Sequence, residues 1–144
     1  LGAFIASTEI MSSLVSNPQL GHITTFGGHP VCCAAGLASL EVILNEKLAE
    51  TSNAKNELFR KYLNHPLVES IRGEGLLLAV TLNRPEHVSY VVANAPRFGL
   101  ILDYFLFCNN AFRIAPPLII SPAEIKEACS QLLLLLDESG KKAG

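Results

Sequence analysis

The sequence predicts a mixed α/β layer architecture, and three observations support this prediction. After Pro30, apolar residues recur at spacings of three and four, which is the period of a helix. Residues 76–82 form a near-continuous apolar run bounded by Asn83 and Pro85, as in a buried strand. Ser121-Pro122-Ala123-Glu124 fits a capping box that starts a final helix. The predicted order of elements, β-α-α-β-α-β-β-α, places helices and strands in one fold.

The first half of the chain predicts a strand followed by helices. Residues 1–7 read as a buried strand and residues 8–15 as a short helix or turn, which Asn17-Pro18 ends. The long helix from Pro30 has an apolar stripe formed by Cys33, Leu37, Leu40, Leu44 and Leu48. A second helix ends near residues 64–66, and its apolar side consists of Leu58, Phe59, Tyr62 and Leu63.

The second half predicts three strands and two helices. Residues 72–75 read as a turn before the strand at 76–82, and a helix follows at 87–95. Strands are predicted at 99–102 and 112–115, separated by the aromatic residues 103–107 and a turn at Asn109-Asn110. The final helix has a buried stripe and is expected to end at Gly140 in a polar tail; the stripe consists of Ile125, Cys129, Leu132 and Leu136.

Composition excludes several classes of partner. The chain has 144 residues, a net charge of −2 and scattered charges, so we expect no nucleic-acid surface and no polybasic membrane anchor. No apolar run approaches the roughly 20 residues that span a bilayer. The mean hydropathy of +0.34 predicts that another domain or subunit covers part of the surface. We expect the four cysteines to be buried thiols in a reducing compartment, which indicates a cytoplasmic protein.

The segment 21–30 is the strongest chemical signal in the sequence. Thr24, Thr25, Gly27 and Gly28 precede a proline that suits the first position of a helix. The hydroxyls and the free N–H groups of a helix N-terminus can together hold a phosphate. The alternative is a helix-entry turn whose hydroxyls merely cap the backbone, and the spacing alone favours that alternative because the segment has no P-loop lysine. His29, at the predicted N-cap, reads as a packing or capping group.

Two arginines, Arg113 and Arg72, are expected to pair with anionic groups. Arg113 lies in an otherwise apolar segment, 112–118, where an unpaired buried guanidinium is too costly. Its anionic partner is either a structural carboxylate or the carboxylate of a ligand, and the pattern alone does not decide between them. Arg72, beside two glycines and Glu74, reads as a turn residue with a local ion pair.

Other kinds of site find no support in the sequence. The four histidines have no metal-ligand spacing, so we expect no metal site. The serines lack the G-x-S-x-G elbow of a hydrolase. The lysines read as solvated side chains on polar helix faces or in the C-terminal tail.

Three motifs together resemble the class III aminotransferases. They are Leu1-Gly2-Ala3-Phe4-Ile5-Ala6-Ser7, Thr24-Thr25-Phe26-Gly27-Gly28-His29-Pro30 and Phe112-Arg113-Ile114-Ala115-Pro116-Pro117-Leu118. The resemblance runs from Leu1 to about Ser139. It implies the pyridoxal-phosphate-dependent fold type I architecture, as in the ornithine, acetylornithine and 4-aminobutyrate enzymes.

The resemblance also implies roles for individual residues. Thr25, with Thr24 beside it, would bind the phosphate of a pyridoxal 5'-phosphate held by the neighbouring subunit of a homodimer. Arg113 would bind the carboxylate of an amino-acid or 2-oxo-acid substrate. Residues 1–45 would form the end of the large cofactor domain and the start of a connecting helix, and residues 46–144 the small C-terminal α/β domain.

One departure from the family pattern is large. Family members form a Schiff base through a lysine shortly before the Gly-Ala-Phe strand, and they place an aspartate still further upstream on the pyridine nitrogen. This sequence starts after both positions, and its own aspartates, Asp103 and Asp137, lie in no matching motif. We therefore expect a C-terminal fragment with no catalytic residue of its own, inactive alone. The alternative is a non-catalytic interaction or scaffold module that keeps the small-domain fold.

Overall fold

The computed structural model describes residues 2–16 and 23–142. The chain divides into two compact units, Leu1–Glu46 and Lys47–Gly144. Each unit is described by itself below.

The first unit contains two helices, α1 (Thr8–Ser12) and α2 (Pro30–Asn45). Helix α2 starts at a proline, as predicted, and neither helix has a buried side chain. The predicted strand at the start of the chain is wrong for residues 2–7, which have no regular structure, while Leu1 lies outside the described residues. A strand is stabilised by hydrogen bonds to a neighbour, and the described part of this unit contains no second strand. The predicted break at Asn17-Pro18 also falls outside the described residues.

The second unit is a four-stranded antiparallel sheet with helices. Its helices are α3 (Ser52–Tyr62), α4 (Pro85–Asn94), a short 3₁₀ helix (Ala95–Phe98) and α5 (Pro122–Lys142). The strands are β1 (Val68–Glu74), β2 (Leu77–Leu82), β3 (Asp103–Phe105) and β4 (Cys108–Ile114), and they lie side by side in the order β1-β2-β4-β3. This arrangement confirms the predicted α/β class.

The core of this unit lies between one face of the sheet and the helices. In the register, Leu78 lies opposite Ile114 and Val80 opposite Phe112, and all four side chains are buried. Because side chains alternate along a strand, Ala79 and Arg113, which are opposite each other, lie on the other face. The helices complete the core with side chains that include Phe59, Val88, Val91, Ile125, Leu132, Leu135 and Leu136. The sheet therefore has one packed face and one face available for chemistry.

The capping box predicted for α5 is confirmed. Ser121 Oγ accepts a hydrogen bond from the Glu124 backbone N–H at 3.2 Å, and Glu124 Oε2 accepts one from the Ser121 backbone N–H at 2.8 Å. The second of these bonds stabilises the carboxylate, so the pKa of Glu124 lies below its usual value. The expected end at Gly140 is wrong, because the helix continues through Lys142.

The structure corrects the predicted bounds of β1, β3 and β4. Residues 72–74 belong to β1, and the turn is reduced to Gly75 and Leu76. Residues 99–102 are not a strand; β3 begins at Asp103 instead, and Asn109-Asn110 lies within β4. Polar residues and glycine mislead in β1 and β3 because these strands lie at the edges of the sheet, where one face and one edge contact water. Asn109-Asn110 instead lies at the start of β4, between β2 and β3.

The cysteines do not all match the prediction of buried thiols. Cys32 and Cys33 are exposed and Cys108 is partly buried, and all four cysteines are free. Only Cys129 is buried, and its burial raises the pKa of its thiol to about 12. Within residues 2–16 and 23–142, no helix could span a membrane and no group of acidic, histidine and cysteine side chains could hold a metal ion.

Candidate functional site

The segment before α2 is a turn held by its own backbone. The Gly27 N–H donates to the Thr24 carbonyl and the His29 N–H to the Phe26 carbonyl, each at 3.2 Å. Gly28 has a φ of 73°, which disfavours a residue with a side chain. A Cβ at Gly27 would lie 2.4 Å from the Thr24 hydroxyl oxygen. The backbone conformation therefore favours glycine at position 28, whereas a side chain at position 27 would require the Thr24 hydroxyl to move.

The hydroxyls of Thr24 and Thr25 are free to bind something else. Both residues are exposed, and neither hydroxyl hydrogen-bonds to any residue the structure describes. His29 occupies the N-cap position of α2 and makes no side-chain capping bond, although its ring stands edge-on to Phe26 at 6.4 Å. The alternative in which the threonine hydroxyls cap the helix is therefore not realised. Gly21 and His22, the first residues of the predicted segment, lie outside the described part.

The donors of this turn fit a phosphate group. The first N–H groups of a helix have no partner within the helix, and the helix dipole makes this end favourable for an anion. Pro30 has no N–H, and the Cys33 N–H already bonds the His29 carbonyl at 2.9 Å. The hydroxyls of Thr24 and Thr25 and the remaining N–H groups of the first turn form a donor set of the kind that holds phosphate oxygens. Residues 23–30 contain no lysine or arginine, so a phosphate bound here would be held mainly by hydrogen bonds.

Arg113 lies in β4 of the second unit, directly opposite Asp103 of β3. Its guanidinium forms an ion pair with the Asp103 carboxylate, and the side chains are 40% and 59% exposed. The expected burial of Arg113 is therefore wrong, because the side chain stands on the open face of the sheet. The sequence left two kinds of anionic partner open, a structural carboxylate and the carboxylate of a ligand. The structure shows the first, the carboxylate of Asp103. The exposure of the pair keeps the guanidinium accessible to a ligand.

A second arginine lies in the same row across the sheet. Arg72 of β1 is opposite Ala79 of β2, and Ala79 is opposite Arg113 of β4. Cross-strand neighbours point to the same face, so the order across this face is Arg72, Ala79, Arg113, Asp103. Arg72 is exposed and makes no ion pair with another described residue, contrary to the predicted local pair in a turn. Local sequence patterns did not reveal this row, because they predicted neither β1 nor β3.

Helix α3 fixes the backbone on both sides of Arg72. Arg60 donates to the carbonyls of Ile71 and Gly73, at 2.5 and 3.1 Å. Asn56, which is 4% exposed, donates to the Gly75 carbonyl at 2.8 Å and accepts from Arg60 Nε at 2.6 Å. This network holds the end of an edge strand in one conformation. The signal for it in the sequence, an asparagine and an arginine four residues apart in a helix, is common and does not reveal its partner.

A lysine anchors the segment that follows Arg113. Lys55 Nζ donates to the Leu118 carbonyl at 2.5 Å and is partly buried, so the expectation of a solvated lysine is wrong at this position. This bond ties helix α3 to the apolar run after β4. It therefore helps to fix the end of the strand that carries Arg113.

Two histidines of the second unit make hydrogen bonds between elements. His65 Nε2 lies 3.2 Å from Asp137, and its Nδ1 accepts from the Leu67 N–H at 3.1 Å. His87, on α4, lies 2.7 Å from the hydroxyl of Ser139 on α5, and both side chains are buried. These contacts hold helices and turns of the second unit in place.

Comparison with known proteins identifies the family. A family model described as aminotransferase class-III matches residues 1–136. The acetylornithine aminotransferase of Bifidobacterium longum is 38% identical over 136 residues, covering 92% of this chain and 30% of that protein. That of Mycobacterium bovis is 36% identical over 121 residues, covering 82% of this chain and 30% of its own length. A solved structure of the omega transaminase from Pseudomonas jessenii in complex with PMP is 32% identical, with a TM-score of 0.72, over 85% of this chain and 30% of that one.

The chain spans about a third of the length of the curated relatives that it matches, 30% to 36% for the first of them. The match covers both units, from residue 1 to the apolar stripe of α5. The three motifs that resembled the class III aminotransferases all lie within it. On this evidence the chain belongs to the class III aminotransferase family.

Proposed function

We propose that the protein carrying this chain transfers an amino group between an amino acid, or an ω-amine, and a 2-oxo acid. The cofactor would be pyridoxal 5'-phosphate. The observation that supports this most directly is the turn before α2, with two exposed threonine hydroxyls that have no described partner beside a helix N-terminus. Family membership supports the class of reaction, and the exposed hydroxyls of the turn support the proposal that a phosphate binds there.

Thr25 and Thr24 are the proposed cofactor-binding residues. Their hydroxyls would donate hydrogen bonds to phosphate oxygens, and the glycines at 27 and 28 keep the turn in the shape that presents them. We propose that the phosphate belongs to the neighbouring subunit of a homodimer. Helix α2 supports this: none of its side chains is buried, and several large apolar ones are exposed, among them Val31, Leu37, Leu40 and Leu44. We place the activity in the cytoplasm.

Arg113 is the proposed substrate-binding residue. Its guanidinium presents paired N–H donors that match a carboxylate, and its partial exposure leaves room for one. A substrate carboxylate would compete with or replace the Asp103 carboxylate at this guanidinium. When bound, pyridoxal phosphate supplies an electron sink for the amino acid. The task of Arg113 is to orient the substrate for that chemistry.

The two units correspond, in this proposal, to two parts of the family fold. Residues 1–45 form the end of the large cofactor domain and residues 46–144 the small domain. None of the lysines lies in the position before the opening segment where the family pattern places the Schiff-base lysine. We therefore assign no catalytic residue to this chain and propose that its 144 residues alone do not transfer amino groups.

The test compares cofactor binding by variants of the protein encoded by the gene's complete reading frame. Thr25→Ala should weaken pyridoxal-phosphate affinity about tenfold, because it removes a hydrogen bond to a charged group, whereas Thr25→Ser should retain most of the affinity. Thr8→Ala is the matched control, since Thr8 is an exposed threonine of the same unit. Affinity is measured from cofactor absorbance.

Two results would contradict the proposal. One is a complete reading frame whose product binds no pyridoxal phosphate, which would favour an interaction or scaffold module. The other is equal cofactor affinity in Thr25→Ala and Thr8→Ala, which would remove the phosphate role from this turn. The inactivity of the 144 residues alone is tested by assaying them with amino donors, 2-oxo acids and added cofactor.

A further inference from the structure

We propose that Lys55 is a positioning residue for substrate binding. Its ammonium group tethers the chain just beyond β4 and so keeps Arg113 in the orientation that receives a substrate carboxylate. The inference rests on the proposed function, in which Arg113 binds the substrate, and it adds a residue of another element, helix α3. Lys55 itself does not contact the substrate. It acts through the backbone, by way of the Leu118 carbonyl.

Arg113 lies close to the end of the strand pairing that holds it. It is the penultimate residue of β4, and the pairing of β4 with β2 ends one pair further on, at Ile114 and Leu78. On its other side β3 has three residues, and Asp103, opposite Arg113, is the first of them. The ends of strands open more readily than their middles. The orientation of Arg113 therefore depends on how the chain is held after Ile114.

The segment that follows β4 is stiff and has few backbone donors of its own. Pro116 and Pro117 have no N–H group, so neither can donate a backbone hydrogen bond. Their rings also restrict φ, which leaves little freedom in the short path from Ile114 to Leu118. A hydrogen bond at Leu118 is therefore transmitted to the end of β4 instead of being absorbed by a flexible loop.

The apolar packing beside this segment is incomplete. A pocket of about 120 Å³ is lined by Ile114, Ala115 and Pro116, and its other walls include Phe59 of α3 and Cys129 of α5. Atoms that border an empty space lose the dispersion contacts that close packing provides. Side-chain packing therefore holds residues 114–116 less firmly than a filled core would, and a polar tether next to them gains importance.

Lys55 provides this tether from helix α3. Its Nζ donates to the Leu118 carbonyl at 2.5 Å, and its side chain is partly buried. Within residues 2–16 and 23–142, no carboxylate forms a salt bridge with this ammonium group. A hydrogen bond from a charged donor is stronger than one between neutral groups. Phe59, which lines the pocket, is four residues further along the helix, so one face of α3 carries both the tether and the pocket wall.

Helix α3 is a firm support because its other polar side chains bind it to the sheet. Arg60 donates to the carbonyls of Ile71 and Gly73, and the buried amide of Asn56 donates to that of Gly75. The tether thus joins the end of β4 to a helix that is fixed to β1 of the same sheet. A binding residue that is already held in place loses less entropy when its ligand binds.

The test measures steady-state kinetics of the protein encoded by the complete reading frame. The substrate is the amino-acid donor for which the wild type has the highest kcat/KM. Lys55→Met keeps the apolar stem and removes the charged donor, and it should raise KM about fivefold while kcat changes less than about twofold. The reason is that a carboxylate contact away from the reacting bonds contributes equally to the ground and transition states. Loss of folded enzyme would instead lower the apparent kcat and leave KM unchanged.

Two further variants show whether the charge of Lys55 acts through Arg113. Lys55→Arg keeps a charged donor and should have a KM within about twofold of the wild type. Arg113→Gln should raise KM by more than Lys55→Met does. Adding Lys55→Met to Arg113→Gln should change KM by less than about twofold, because the residue that the tether positions is then absent. A wild-type KM in Lys55→Met, or effects that multiply in the double variant, overturns the role of Lys55.

Lys61→Met is the matched control, because Lys61 is an exposed lysine of the same helix. It should have the wild-type KM, and an equal rise there overturns the proposal. If Lys55→Met does not fold, Lys55→Gln replaces it; its shorter, neutral side chain should raise KM at least about twofold, and a wild-type KM overturns the proposal. A wild-type KM in Arg113→Gln refutes the proposed substrate role of Arg113 and this inference with it. A raised KM in Arg113→Gln with a wild-type KM in Lys55→Met refutes this inference alone.

Discussion

Replacing Asn56 by alanine should destabilise the second unit by about 3–5 kcal/mol. The side chain is 4% exposed, donates to the Gly75 carbonyl at 2.8 Å and accepts from Arg60 Nε at 2.6 Å. Each bond contributes about 1 kcal/mol net, and leaving a buried partner without a hydrogen bond adds a further cost of about 1–3 kcal/mol. For a unit of about 100 residues, 1 kcal/mol corresponds to roughly 4–8 °C in Tm. The change should therefore be large and easy to measure.

The chain offers a selective probe for this measurement. All three tyrosines, Tyr62, Tyr90 and Tyr104, lie in the second unit and the chain has no tryptophan. Tyrosine fluorescence during urea unfolding therefore follows that unit alone. Asn53→Ala is the control, because Asn53 lies one turn earlier on the exposed side of α3. A loss of stability in Asn56→Ala no greater than that in Asn53→Ala would refute the reasoning that the buried amide holds the end of β1.

Three further predictions concern the cap of α5, the thiols and the turns. The pKa of Glu124 is lower in the folded chain than in the unfolded one, so its stabilisation is present above the unfolded pKa and is lost as the pH falls through the folded pKa. Glu124→Gln should consequently lower the Tm at pH 7, and the difference from wild type should shrink below about pH 4, as pH-dependent melting curves would show. The exposed Cys32–Cys33 pair should react with iodoacetamide in the native chain, whereas Cys129, with a pKa of about 12, should react only after unfolding, as peptide mass mapping would reveal. Gly73→Ala should cost more than about 2 kcal/mol in urea unfolding, and Gly99→Ala, where no atom lies within 4 Å of the added Cβ, only about 1 kcal/mol; equal costs would contradict the predicted clash.

Long periodic elements were predictable from the sequence, and short polar strands were not. Helices α2 and α5 each carry a proline at or near the first position, and their predicted starts match the structure. Strand β2 is apolar along nearly its whole length, so its position was also evident. Strand β3 has three residues and β1 contains Arg72 and Gly73, which no local rule identifies as a strand. Their strand conformation comes from pairing with neighbours, which is tertiary information.

The candidate site residues were predictable to different degrees for the same reason. The turn at residues 24–30 is local, so its hydroxyls, glycines and proline could be recognised directly in the sequence. Arg113 could be identified as a residue in need of an anion, but not which anion it contacts, because Asp103 reaches it only through the pairing of β3 with β4. The position of Arg72 beside Arg113 depends on two pairings at once, β1 with β2 and β2 with β4. The local sequence around Arg72 is typical of a turn and does not reveal these pairings.

The strand register that forms the core also places Arg72, Ala79, Arg113 and Asp103 in a row across the opposite face of the sheet. Glu74 and Leu77 are paired across a two-residue turn in which Gly75 has a φ of 53°, and this turn sets the pairing of β1 with β2. A slip of one residue would reverse the faces of β1: Arg72 would point into the core and the partly buried Ile71 toward water. Burying an unpaired guanidinium is costly, so the register that places Ile71 inward is strongly preferred. The position of Arg72 beside Ala79 and Arg113 is thus enforced by hydrophobic burial on the opposite face, and a variant that disturbs the turn should lose the row and the core packing together.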